Sequence, residues 1–252
     1  MKDTPLTSQL LVAHRGYQAK YPENTQLSLL KAIEAGANFI ELDVQFSVDK
    51  LPIIYHDLSL HRVSGVKGYV NKLDREQLLS IPAYEPTRLG DKYYDETISP
   101  LEALTAILHD NPHVTAFVEL KEESIEHCGR EHLLKSVMTI LDTVAKQTVV
   151  MSFDYQLAQM AREADWPQVG LVLKNWQDLN HQQVVATKPD YIYTNHLIIP
   201  PNAILSDCKV SDNSRLVAYE VGNKELALSL IDRGVDMLET FDIAGLLAPI
   251  NP

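Results

Sequence analysis

The chain has 252 residues, 45% of them hydrophobic, and its 22 Lys+Arg against 34 Asp+Glu leave a net charge of −12. The length suits one α/β barrel or two small domains. The acidic balance argues against nucleic acid as a main partner, because backbone phosphates require clustered cations, and against stable association with anionic membranes.

Short apolar runs alternate with longer amphipathic stretches. The first run, 10-LLVAHR-15, leads into 25-TQLSLLKAIEAG-36, where Leu27, Leu30, Ala32 and Ile33 recur at helical spacing. Asn24 or Thr25 is expected to cap this helix, and Gly36 to stop it. Strands are expected over 38–46 and 52–56. The stretch 57–98 then breaks the rhythm with turn residues and tyrosines but no long helical face. It reads as an insertion after the second unit, folding over one end of the domain. Ser99 and Pro100 suit the cap and first position of a helix over 100–110. Further strands follow over 115–121, 148–153, 168–174, 191–195, 215–221 and 235–240. Helices are expected over 131–146, 154–164, 177–187 and 223–234.

Most of these strands are continuous apolar runs, as in parallel sheets buried on both faces. About eight strand–helix units along the chain predict an α/β fold, a closed (β/α)8 TIM barrel forming a single domain over 1–252. A doubly wound open sheet is the competing architecture. Cys128 and Cys208 lie far apart and form no Cys-x-x-Cys pair, as expected of free thiols in a reducing compartment. The start of the chain lacks a long apolar leader, and no run approaches the roughly 20 apolar residues of a membrane span. A soluble, cytoplasmic protein is expected.

Ionisable residues gather at the ends of the expected strands. His14 and Arg15 end the first, Glu41 and Asp43 lie in the second, His56 and Asp57 end the third, and Glu119 and Lys121 end the fourth. Residues i and i+2 of a strand share a face, so Glu41 projects with Asp43, and Glu119 with Lys121. Each feature alone is commonplace: a strand-end His is usually solvated, and a Glu-x-Asp pair usually lies on a solvated face. Together they converge on one barrel mouth. Three carboxylates buried there would need a cation, and hard oxygen ligands suit Mg²⁺ or Ca²⁺.

At these residues the chain resembles the glycerophosphodiester phosphodiesterase family, cytoplasmic bacterial type. The matching pieces are 14-HRG-16, 22-PENT-25, 41-ELD-43, 56-HD-57, 119-ELK-121 and 152-SF-153, with weaker matches at Asn195-His196 and 234-GVDMLET-240. The resemblance implies a metal-dependent enzyme of lipid and glycerol metabolism that hydrolyses small glycerophosphodiesters to sn-glycerol 3-phosphate and an alcohol. It implies Glu41, Asp43 and Glu119 as ligands of one divalent ion (Mg²⁺ or Ca²⁺, with Mn²⁺ as a third option). His14 and His56 would be the acid–base pair, and Arg15 and Lys121 would hold the phosphate. The family's Trp-Thr-Val-Asn strand is here 219-YEVG-222, so Tyr219 and Glu220 are candidates for selecting the alcohol group. Two alternatives remain: a lysophospholipase D using Tyr84, Tyr93 and Tyr94 as an apolar ramp, and a non-catalytic barrel that binds phosphorylated ligands.

Overall fold

The structure, a computed structural model, describes residues 6–205, 210–211 and 213–248. Its strands, in chain order, are β1 (Leu11–Ala13), β2 (Phe39–Phe46), β3 (Pro52–Ile54), β4 (Ser99–Pro100), β5 (Thr115–Leu120), β6 (Thr148–Met151), β7 (Gln168–Val172), β8 (Tyr191–Asn195), β9 (Arg215–Tyr219) and β10 (Met237–Thr240). Strands β1, β2 and β5 to β10 are parallel and neighbour one another in that order. Pairing of Leu11 with Leu238 on one side of β1, and of Val12 with Phe39 on the other, closes the ring. This is the (β/α)8 barrel, and the open-sheet alternative is excluded.

Side-chain alternation divides the apolar residues into two layers. Val12, Phe39, Phe117, Val149, Tyr191 and Val217 pack with others inside the ring. The Phe117 ring meets Tyr191 edge-on at 4.8 Å and Tyr193 at 5.2 Å, filling the interior as a packed core. Their sequence neighbours, such as Leu11, Ile40, Leu42, Val118, Leu171 and Leu238, point outward beneath the helices. With Leu42 outside, Glu41 and Asp43 are left inside, as the i, i+2 spacing requires.

Two local expectations are corrected. The run 52–56 is not a barrel strand: β3 folds back antiparallel on β2, pairing Ile54 with Val44. Ser99 and Pro100 do not begin a helix, because they pair with Ile54 and Ile53 as β4. The helix starts instead at Glu102, with Leu101 at its cap position. Between β3 and β4 the chain forms short helices around Tyr55, Leu60, Val63 and Leu78, a cluster separate from the barrel core. This segment stands between the second barrel strand and the helix Glu102–Asp110. Tyr84 packs on Tyr94, and Tyr93 on Tyr21.

The helix Gln26–Glu34 is capped by Thr25, whose hydroxyl accepts the Ser28 N–H at 3.1 Å. Its buried face is Ser28, Leu29 and Ala32, while Leu30 is 40% exposed, contrary to the expected Leu27–Leu30 stripe. The loop after β1 sets that rotation. Arg15 and Gly16 both adopt positive φ (51° and 81°), turning the chain sharply back onto the helix. The Tyr17 N–H donates to the Ser28 carbonyl, and the Ser28 hydroxyl to the Arg15 carbonyl. Cys128 is a buried free thiol, and Cys208 lies outside the described residues. No helix among the described residues is long and apolar enough to cross a membrane.

A side chain at position 16 would be strained twice. Its Cβ would sit 2.4 Å from the Ser28 Oγ and 2.6 Å from the Ser28 backbone carbon, at a φ that disfavours L residues. Gly16→Ala should therefore lose about 3 kcal/mol or more in urea denaturation, since neither backbone can yield. A loss below about 1 kcal/mol would show that the turn is not fixed by this contact.

Candidate active site

The turn after β1 aims residues into the C-terminal mouth of the barrel. The Arg15 N–H donates to Glu41 Oε2 at 2.9 Å, and its guanidinium pairs with Asp43 and Glu23, each at 3.0 Å. The left-handed backbone of Arg15 is thus held on three sides, which is how a strained residue persists. Asn24, also at positive φ, faces Asp43 reciprocally. Its side-chain amide donates to Asp43 Oδ2 at 2.8 Å, and its carbonyl oxygen accepts the Asp43 N–H at 3.1 Å.

Glu41 and Asp43 on β2 and Glu119 on β5 converge as the strand parity requires. All three are buried, and each offers a carboxylate oxygen within 4.8 Å of the others. Lys121, just past β5, places its ammonium 2.6 Å from Asp43 and 2.5 Å from Glu119. Asp43 therefore meets both cations, while Glu41 receives a backbone N–H.

Electrostatics separate the carboxyls. Burial acts to raise Asp43, but Lys121 and Arg15 overcome it and hold the group well below the usual carboxylate range. Burial, with the charges of Asp43, Glu239 and Glu119, pushes Glu41 well above that range. Burial also lifts Glu119 despite Lys121. A fourth carboxyl, Glu239 on β10, is buried and raised by burial, Glu119 and Asp43. The floor is short of positive charge. A divalent cation would supply it, and the hard oxygen set of Glu41, Asp43 and Glu119 suits Mg²⁺ or Ca²⁺.

Two imidazoles face the same cavity of about 130 Å³, which Arg15, Lys121, Tyr219 and Glu220 also line. His14 is pushed down to about 3 by burial and by Arg15, so it is neutral near pH 7. Its Nδ1 lies 3.8 Å from the half-exposed Glu220 carboxylate. His56 comes from the chain beyond β3, and its Nδ1 is 2.6 Å from Asp57 Oδ1. The backfolded hairpin thus delivers His56 to the mouth that the barrel strands build. A larger groove of about 890 Å³ runs outside the barrel, between the helices Arg130–Leu141 and Tyr155–Glu163, and holds none of these residues.

All nine residues selected from the sequence therefore meet at one mouth, whereas Tyr84, Tyr93 and Tyr94 do not line it. The sequence reading missed a second set. Arg62 donates to both oxygens of Glu23 at 2.7 Å and to both oxygens of Asp57 at 2.7 and 2.8 Å. Glu23, which also receives Arg15 and Gln18, is thereby tied to His56 through Arg62 and Asp57. Glu85 accepts the Glu23 N–H at 2.8 Å and is held by Arg88. Asn24 reads in the sequence as a helix cap and as part of 22-PENT-25, with no partner named for it. Glu239 was readable by parity, because an acidic residue two positions after the inward Met237 must also face inward.

The comparisons with known proteins bear on the family and the fold. The model of the glycerophosphoryl diester phosphodiesterase family matches residues 14–243. The glycerophosphodiester phosphodiesterase of Caldanaerobacter subterraneus subsp. tengcongensis is 27% identical over 240 residues, covering 92% of this chain and 94% of that protein. Among solved structures, a phosphodiesterase of Oleispira antarctica, in complex with the product sn-glycerol-3-phosphate, superposes with a TM-score of 0.79. It is 24% identical, with 94% of each chain covered. A glycerophosphodiester phosphodiesterase of Agrobacterium tumefaciens gives 0.76 at 20% identity, covering 97% of this chain and all of that one. These two structures share the barrel fold.

The Arg62 network carries a pH signature. Arg62 and Arg15 hold Glu23 below its ordinary value against burial, and Asp57 is likewise lowered, by His56 and Arg62. Lowered carboxylates stabilise the fold above their unfolded values of about 4, and that stability is lost as pH falls through the folded values. Arg62→Met should therefore cost about 1–3 kcal/mol at pH 7, discounted from a fully buried pair because Arg62 is 44% exposed. The cost should shrink toward pH 3 in urea titrations. An equal cost at both pH values would show that packing, not charge, holds the network.

Proposed function

The chain belongs to the glycerophosphoryl diester phosphodiesterase family, and we propose that it hydrolyses small glycerophosphodiesters to sn-glycerol 3-phosphate and an alcohol, in the cytoplasm, as part of lipid and glycerol metabolism. The observation that carries this reading is the convergence of Glu41, Asp43 and Glu119 beside two imidazoles and two cations in one small cavity. Water adds across one P–O bond: the phosphorus gains an oxygen, and the departing alcohol oxygen gains a proton.

Glu41, Asp43 and Glu119 would hold one divalent ion. When bound, it would offset the carboxylate charge and stabilise the charge that develops on the phosphoryl oxygens. Arg15 and Lys121, fixed by Asp43, orient the phosphate from the same side and add to that stabilisation. His14, on the wall of the same cavity, is placed to accept the proton of the attacking hydroxyl. Asp57 fixes the ring of His56 through Nδ1, leaving Nε2 to donate a proton to the leaving alcohol. Asp57, in turn held by Arg62, is a positioning residue.

The test is release of sn-glycerol 3-phosphate from glycerophosphocholine and glycerophosphoethanolamine by the purified protein, with Mg²⁺, Ca²⁺ or Mn²⁺ and with chelator. Turnover should require one of the metals. His14→Ala and His56→Ala should each lose about 10²–10⁴-fold in kcat while still binding Mg²⁺ by calorimetry. Turnover in chelator would remove the metal from the reaction, and near wild-type rates in either variant would remove that imidazole.

The rim of the cavity bears on the alcohol half. Tyr219 and Glu220 line it, and the Glu220 side chain is 52% exposed, open to a polar or cationic group arriving from solvent. Glu220→Thr should lower the ratio of kcat/KM for the choline and ethanolamine diesters to that for glycerophosphoglycerol. An unchanged ratio would place selection elsewhere.

A further inference from the structure

The floor of the cavity holds two polar groups that the proposed reaction does not use. Glu239 on β10 is 3% exposed, and its Oε1 has no hydrogen-bond partner; Tyr193 on β8 is 1% exposed, and its hydroxyl has none. Both line the same cavity as the two histidines. Their inward direction is fixed by strand parity, since Met237 and Tyr191, two residues before each, lie in the interior cluster. Buried polar groups without partners are costly and rare, and two aimed into one functional cavity point to a polar ligand.

We propose that Glu239 and Tyr193 form the subsite for the free hydroxyl groups of the glycerol half of the substrate. The inference rests on the proposed phosphodiesterase reading and adds where glycerol binds. A carboxyl and a phenol match a diol, which both donates and accepts hydrogen bonds. An apolar chain would leave both groups unsatisfied. The two halves of the substrate also differ in what they need. Glycerol is common to all such diesters and fits a closed floor, whereas the alcohol varies and must reach the open rim at Glu220. Glu239 stands outside the metal-ligand set, since the carboxylates that gather within reach of one ion are Glu41, Asp43 and Glu119.

The test is calorimetric binding of two phosphomonoesters to the Mg²⁺-loaded protein: sn-glycerol 3-phosphate, and n-propyl phosphate, which lacks both hydroxyls. The wild-type protein should bind the first about tenfold tighter or more, as expected when two buried polar groups are paired by one ligand and left unpaired by the other. Glu239→Leu should reduce the preference to about twofold or less, and Tyr193→Phe should reduce it partly. Leu in place of an unpaired buried carboxyl is expected to fold, which thermal denaturation checks. Should it fail to fold, Tyr193→Phe carries the test alone. A preference preserved in the folded variants, or absent from the wild-type protein, overturns the subsite. So does a loss of Mg²⁺ affinity in Glu239→Leu as large as in Glu41→Gln, which would make Glu239 a metal ligand. If the wild-type protein hydrolyses no glycerophosphodiester, the functional reading itself fails. If it hydrolyses them with the preference unmoved by these variants, only the subsite fails.

Discussion

The site is organised around the charge of Asp43. This one carboxylate, 1% exposed, receives the Arg15 guanidinium from the turn after β1, the Lys121 ammonium from the end of β5, and the Asn24 amide from the start of a helix. An isolated charge at that depth would be prohibitively costly, so its ionised state depends on all three partners. The dependence runs both ways. Arg15 has positive φ, and Lys121 is buried, a position an ammonium rarely takes without a carboxylate. Neither conformation is favourable alone, and each is held by the carboxylates it meets. Asp43 therefore joins three stretches of chain at the point where the reaction is proposed to occur.

That coupling explains why a chain with a surplus of acidic residues can handle an anionic diester. Net charge sets the distant field, but chemistry responds to the charge within a few ångströms, where the low dielectric magnifies it. At the floor, two cations already neutralise much of Asp43 and Glu119, while Glu41 and Glu239 have too little positive charge to ionise readily. The arrangement is complementary to a dication and to a phosphate drawn between that ion and the two basic side chains. It is poorly complementary to a free anion arriving alone, because the carboxylates would repel it.

What the sequence revealed was what short-range periodicity governs. The alternation of apolar runs and amphipathic stretches led to the barrel, and the i, i+2 spacing of Glu41 with Asp43 put two carboxylates on one inner face before any contact was known. Longer-range relations were not legible. Nothing local distinguishes the run 52–56 from a barrel strand, since its apolar residues are buried either way; only its antiparallel pairing with β2 makes it a hairpin arm. The buried face of the first helix was misplaced because it is fixed by Gly16 pressing on Ser28, a backbone contact that hydrophobicity does not record. The partners of Arg62 were not legible for a related reason. Its partners Glu23 and Asp57 are 39 and 5 residues away, and a lone Arg in an inserted segment looks like any solvated cation.

The inserted segment has a definite place in this logic. A closed barrel builds its mouth from strand ends and the βα loops that follow them. His56 approaches the mouth from a different direction, on the stretch that follows β3. The backfolded hairpin supplies that direction, and the segment beyond it brings His56 together with its orienting Asp57. The cost is that His56 rides on a segment with its own small core, apart from the barrel's. The Arg62 bridge to Glu23, and the Glu85 carboxylate accepting the Glu23 N–H, remove that freedom by tying the segment to the loop that carries Arg15. Charge pairing across this seam thus holds two imidazoles from separate packing units at a single mouth.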